Sequence, residues 1–257
     1  MTSKLILAAG VAAALTFGAL APLPAWAKPD PNIAAAVADK GRPEADTKRD
    51  ADRKPAEMLT FAGVKPGQVV VDYLPGGGYF TRIFSKAVGP KGVVYALSGP
   101  ARPPADPTKP SPPAAPDVIA ADPAYANVKS LRGPMDSFAV PQKADLIWTS
   151  LNYHDLHLSA RKLDVASLNR QIFQALKPGG HYVVVDHAAT AGAALETVDT
   201  MHRIDPAIVR REAEAAGFKL VDQGDALKSA ADDHTLPSAK IERGHTDQFM
   251  LKFQKPK

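Results

Sequence analysis

From residue 55 almost to the end of the chain, short unbroken apolar runs alternate with segments whose apolar residues return every three or four positions. Unbroken runs bounded by turn residues read as strands covered on both faces, and the wider spacing reads as one face of a helix. "VVVDY" (Val69–Tyr73) is the first such strand, followed by "LPGGG" and a helix in "YFTRIFSKAV" (Tyr79–Val88). "GPKG" turns the chain into a second strand at residues 93–97, and residues 128–131 and "DLIWTS" supply a third and a fourth. Val165, Leu168, Ile172 and Leu176 mark a helix face, "KPGG" is expected to end that helix, and "HYVVVD" is a fifth strand. In "RIDPAIVRREAEAAGF", Asp205, Pro206 and Gly217 read as N-cap, first residue and stop of another helix. "KLVDQ" and "QFMLKF" follow as strands with no helix between them, which predicts an antiparallel edge. Alternation of this kind is the pattern of an α/β fold with a doubly wound, mostly parallel sheet.

Two regions depart from the rhythm. Residues 28–54 are polar and rich in Ala, Asp, Arg and Pro, and read as an N-terminal arm with short helical pieces, one of them at 33–39. The arm leads into "RKPAEMLTFAGV", a helix that sets Met58, Leu59, Phe61 and Ala62 against an apolar surface. Residues 99–123 carry nine prolines, which excludes a regular helix and predicts a polyproline-like surface insertion in the domain of residues 55–257. It stands where a crossover helix between the second and third strands belongs.

Composition adds a compartment. Lys4, an Ala-rich apolar run at residues 5–20 and the small-x-small pattern Ala25-Trp26-Ala27 make residues 1–27 a signal peptide. Cleavage after Ala27 leaves a mature chain that starts at Lys28, has no membrane anchor, and is periplasmic or secreted. The chain has no cysteine, so its stability rests on an apolar core rather than on disulfides. The 31 basic and 27 acidic residues, net +4, are scattered without a dense basic run beside aromatics, which argues against a nucleic-acid partner.

In a doubly wound sheet, ligands bind beyond the carboxyl ends of the strands. Asp72 lies at such an end, and Gly76, Gly77 and Gly78 let a ligand approach the backbone, although three glycines also suit a tight turn alone. "LNYHDLH" brings Asn152, Tyr153, His154 and Asp155 to the same edge, either as ligand-side groups or as a polar cap for the next element. His154 has the intrinsic pKa of a general base, and Asp155 would orient it or bind a metal. Tyr153 would stack on an acceptor or belong to the core. Asp186 and His187 end the fifth strand. In "MHRID", next to His202, Arg203 suits a carboxylate or phosphate clamp, or an ion pair with a neighbouring acid such as Asp205. His234, between the last two strands, is a further candidate.

Taken in order, "KPGQVVVDYLPGGGYFT", "GPKGVVYAL", "DLIWTSLNYHDLH", "LKPGGHYVVVD" and "AGFKLV" resemble the class I S-adenosylmethionine-dependent methyltransferases, over roughly residues 55–253. "LNYHDLH", "DHAATAG" and "HRID" look like an exported bacterial group of predicted methyltransferases. The resemblance implies a Rossmann-like seven-stranded sheet with an antiparallel last strand, S-adenosylmethionine as cofactor and a small-molecule substrate. The family loop is Asp/Glu-x-Gly-x-Gly-x-Gly. Carried over, Asp72 is the acid, Gly76 and Gly78 are the second and third glycines, and Leu74, followed by Pro75, stands at the first. Ser98 takes the place of the ribose-binding acid. It lacks the bidentate charged contact, a loss of about 1–3 kcal/mol. Asp136, after Met135, matches the adenine-side residue. On this reading His154 is the base, with Asp155 and Tyr153 beside it; Asn152, Arg203 and His187 face the substrate, and no metal is assigned. Two alternatives stay open: an exported binding protein without catalysis, and a divalent-metal-dependent O-methyltransferase using Asp155, Asp186 and His187, as the resemblance to catechol-type enzymes implies.

Overall fold

A computed structural model describes residues 30–101, 104, 108 and 111–257. The signal-peptide reading, Lys28 and part of the proline-rich insertion lie outside the described residues. Among those described, no helix is long and apolar enough to cross a membrane.

Seven strands form one sheet: β1 (Val69–Tyr73), β2 (Val93–Ser98), β3 (Val128–Arg132), β4 (Ala144–Ser150), β5 (Leu176–His187), β6 (Lys219–Gly224) and β7 (Gln248–Gln254), in the order β3-β2-β1-β4-β5-β7-β6. The first five are mutually parallel, and β7 runs antiparallel to both of its neighbours. The last strand is thus antiparallel as expected but lies inside the sheet; β6 is the edge. Burial explains the exchange. Phe249, Met250, Leu251 and Phe253 of β7 are all buried, whereas most of β6 is exposed, so the more apolar strand takes the position with two neighbours.

Successive strand residues point to opposite faces, and both faces are covered. On one, Val71, Ile147, Tyr182 and Val184 pack with Leu168 and Ile172 of α7 (Val165–Ala175) and Val209 and Ala213 of α9 (Pro206–Ala215). On the other, Val70, Leu146, Trp148 and Val183 pack with Met58 and Leu59 of α4 (Pro55–Ala62) and Ile83 and Phe84 of α5 (Tyr79–Val88). Trp148 meets Phe80 and Phe84 edge-on at centroid distances of 4.7 and 5.7 Å. Asp205 caps α9 through Ala207 N–H, with Pro206 in the first turn.

Two expectations are corrected. "KPGG" does not end the preceding helix as a separate turn; it is the irregular start of β5. Leu176 already pairs with Ala144, and the register shifts before Leu146. The insertion does contain a helix, α6 (Ala115–Ala121), because Pro116 falls in its first turn, where no backbone N–H is required. Asp117 of α6 holds β3 through Ser130 at 2.6 Å and through Arg132, so a short crossover helix is present after all.

The segment ahead of α4 is laid on the domain. α1 (Pro31–Val37) buries Ile33 and Ala36, and two single-turn helices follow, α2 (Glu44–Thr47) and α3 (Asp50–Arg53). Asp50 is the fastening point. It accepts from both terminal nitrogens of Arg42, at 2.7 and 2.8 Å, and from the Tyr79 hydroxyl at 2.6 Å. Asp46 pairs with Arg82 of α5 at 2.9 Å. Asp50→Ala leaves the buried Arg42 guanidinium without its carboxylate, and is expected to lower stability by roughly 1–3 kcal/mol in urea unfolding monitored by tryptophan fluorescence.

Candidate functional site

The sheet reverses direction of winding between β1 and β4, and Asp72 sits at that point, in register with Ala96 on one side and Trp148 on the other. Beyond it the loop turns sharply. Leu74 holds a left-handed conformation (φ 57°), fixed by its N–H on Leu97 O at 2.8 Å and its carbonyl under Asn152 Nδ2 at 2.9 Å. Gly76 and Gly78 are also left-handed. Their surroundings differ: a Cβ on Gly78 would lie 2.2 Å from Ile119 of α6, whereas a Cβ on Gly76 or Gly77 would meet nothing within 4 Å. Gly78 therefore serves packing, and Gly76 and Gly77 form an open cradle.

That cradle is one wall of a cavity of about 660 Å³, within the size range of small-molecule sites. Asp72, Leu74 and Asn152 line it, with Ser150 of β4 and His187 of β5. The segment ahead of α4 contributes Arg49, Asp52 and Arg53, and the loop before β7 contributes Ile241, Arg243 and Thr246. Neither group was legible as a site in the sequence. The only signal is the four-residue spacing of Arg49 and Arg53, which puts both guanidiniums on one side of α3. Arg53 stacks over Tyr79 and Phe80 at 4.5 and 4.7 Å and donates to Ser150 Oγ at 3.2 Å. Burial, then the neighbouring Arg49 charge, brings its pKa down to about 10.

Asp72 is almost fully buried and accepts from Thr81 Oγ1 at 2.6 Å. Burial raises its pKa from 3.8 to about 7, against the opposing Thr81 hydrogen bond and Arg53 charge. His187 shares a hydrogen between Nδ1 and Thr246 Oγ1 at 2.8 Å. Burial, helped by the His154 and Arg203 charges and opposed by Asp186, brings its pKa down to about 4. The imidazole facing the cavity is therefore neutral at pH 7.

Other candidates are placed elsewhere. Tyr153 is a core residue, not a catalytic one: it is fully buried, its hydroxyl donates to Glu212 at 2.7 Å and accepts from Asn169 at 2.7 Å, and burial holds it protonated. His154 and Asp155 lie outside the cavity wall. His154 is 5% exposed, with Nδ1 2.7 Å from Asp186 Oδ1. Burial works against its charge, but the Asp186 and Asp155 carboxylates outweigh burial and raise its pKa. Asp186 also accepts from the N–H groups of His154 and His187, at 2.7 and 2.8 Å. Since the acid is consumed in this way, Asp155, Asp186 and His187 do not form a joint ligand set.

Arg203 is not a substrate clamp. It is 1% exposed and bonded to Leu236 O, Ala188 O and Asp232, so it buttresses the loop between β6 and β7. His234 pairs with Asp247 at 3.0 Å in that same loop. Asn152 is at the cavity, but its amide N–H groups hold the carbonyls of Leu74 and Ser150. The adenosine-side candidates are not brought to the cavity: Ser98 is half-buried, with its carbonyl accepting from Gly133 N–H, and Asp136 is exposed. At the end of β2, Met135 and Leu74 lie against Gly99, whose added Cβ would be 3.1 and 3.9 Å from their nearest atoms.

Solved structures of the same architecture were found. An S-adenosylmethionine-dependent methyltransferase from Aquifex aeolicus matches over 82% of this chain and 95% of its own, at 18% identity and a TM-score of 0.55. One from Mesorhizobium loti matches over 79% and 97%, at 19% and 0.51. The N-methyltransferase NodS from Bradyrhizobium japonicum matches over 82% and 97%, at 11% and 0.51. No sequence-family model matches the chain, and no curated protein sequence does. The chain has the fold of the class I S-adenosylmethionine-dependent methyltransferases.

The Asp72 shift has a checkable sign. An acid whose folded pKa is raised takes up protons on folding between its unfolded and folded values, so it favours the folded state below pH 4 and loses that contribution as pH rises to about 7. Urea midpoints at pH 5 and pH 8 should therefore differ less in Asp72→Asn than in the wild type. An equal difference in both would show that Asp72 ionises normally.

Proposed function

We propose that the protein is an S-adenosylmethionine-dependent methyltransferase acting on a small molecule, exported and working as a mature chain from Lys28. The observation that carries the reading is the open Gly76-Gly77 cradle facing the 660 Å³ cavity at the sheet's reversal point, with Asp72 beneath it. The cavity residues fit the amino-acid end of the cofactor. Asp72 and the loop carbonyls suit an ammonium, and the guanidiniums of Arg49 and Arg53 suit a carboxylate. When bound, the cofactor supplies a methyl group already activated on a sulfonium, so the protein's task is placement.

The chain's own part in the reaction follows from the cavity wall. In the tautomer whose Nδ1–H donates to Thr246 Oγ1, His187 Nε2 is the nitrogen that accepts a hydrogen bond from an acceptor hydroxyl or amine. Tyr79 and Phe80, fixed under Arg53, give the cavity an aromatic floor that excludes water beside the cradle. The segment of Arg49 and Arg53 closes the site over the loop, and its attachment through Asp50 sets how rigidly that closure is held.

Calorimetric titration of the mature chain with S-adenosylmethionine and S-adenosylhomocysteine is expected to give micromolar dissociation constants. Leu74→Gly removes the side chain that lies against Gly99 and uncrowds that side of the loop, so it should tighten binding several-fold. Absence of heat at millimolar ligand in both proteins would overturn the reading. Binding without turnover across an acceptor screen would favour a binding protein on the same fold.

Export is tested separately. Protein recovered from the periplasmic or culture fraction should begin at Lys28 on N-terminal sequencing. Recovery only as a cytoplasmic chain retaining residues 1–27 would exclude it.

A further inference from the structure

We infer that His154, Asp155 and His202 form a binding site for a single divalent transition-metal ion of the zinc class, beside the cavity. The inference is independent of the methyltransferase reading. The three residues come from two distant stretches of chain. His154 and Asp155 lie on the single turn after β4, and His202 follows α8 (Val198–Met201). Asp155 Oδ1 is 3.4 Å from His154 Nε2 and 3.6 Å from His202 Nδ1, and one donor atom from each residue falls within 4.8 Å of the others. Donors about 2.1 Å from a tetrahedral ion stand about 3.4 Å apart. The cluster thus has the spacing of ligands around one ion.

The surroundings orient the donors. Asp186 takes the hydrogen of His154 Nδ1 at 2.7 Å, which turns the Nε2 lone pair toward Asp155 and His202. A carboxylate behind a ligating histidine is the usual support of a metal-bound imidazole. Arg161 binds the other oxygen of Asp155, Oδ2, at 3.3 Å and leaves Oδ1 to the cluster. His202 is held in a left-handed backbone conformation (φ 47°), uncommon for a residue with a side chain. Its ring stands edge-on to that of His154, with centroids 5.7 Å apart. Two imidazoles and one carboxylate select zinc-class ions over magnesium, and three protein ligands leave a coordination position open. The His187 ring, on the cavity wall, is 5.6 Å from that of His154, so the site lies just behind the cavity.

The test is calorimetric titration of ZnCl2, with MgCl2 in parallel, into the mature chain purified without a metal-affinity tag and stripped with chelator. About one equivalent of zinc should bind, magnesium should not compete, and His202→Ala and Asp155→Asn should each weaken zinc binding by about tenfold or more. The His202 side chain is 41% exposed and has one polar partner, so its removal leaves the fold intact, as circular dichroism would verify. No saturable zinc uptake, uptake unchanged in both variants, or magnesium binding as tight as zinc would each overturn the proposal.

Discussion

The polar groups at the strand ends are governed by the burial of the sheet on both faces. Helices cover each side, so a strand in the middle of the sheet has no wet surface on which to place a charge. Polar groups are pushed to the carboxyl ends of the strands, where the covering helices begin or have not yet begun. Asp72 and Asp186 occupy equivalent ends of β1 and β5, and both are buried. Their environments then separate them. Asp72 has the hydroxyl and the backbone N–H of Thr81 and an arginine charge, too little to offset its desolvation, so it is held near the boundary between charged and neutral. Asp186 has the His154 imidazole and two backbone N–H groups, and it stays charged despite greater burial. One carboxylate is poised beside the cradle; the other is a fixed anchor for histidines.

The loop after β1 shows how one substitution is accommodated. A leucine in a left-handed turn is unfavourable, yet the backbone bonds to Leu97 and Asn152 leave it no alternative, and its side chain is partly buried against the core together with Met135. The space near β2 is narrowed by this side chain and Met135. The cavity opens instead toward β4, β5 and the N-terminal segment. There Arg49 and Arg53 supply positive charge that the strand ends lack.

Much of the fold was legible because its causes are local. Runs such as "VVVDY" and "HYVVVD" can be satisfied only between two covered faces, and Asp205-Pro206 starts a helix by capping chemistry that needs no tertiary partner. The spacing of Val165, Leu168 and Ile172 defines its buried face for the same reason. The glycine loop and its position at a strand end were likewise readable, since only glycine leaves a backbone open to a ligand at Gly76 and Gly77.

What only the tertiary structure decided are the matters that depend on which groups meet across the chain. Tyr153 and Arg203 have the chemistry of site residues, but Glu212, Asn169 and Asp232, remote in sequence, claim their polar atoms. The place of β7 inside the sheet came from competition between two strands for the drier position. The arginines of the N-terminal segment became cavity residues because Asp46 and Asp50 fasten that segment to α5. Local pattern determined the elements and the cradle, because propensity and burial act over a few residues. Long-range pairing decided which polar side chains remain available for chemistry, because a hydrogen bond to a distant partner leaves no trace in the spacing of a sequence.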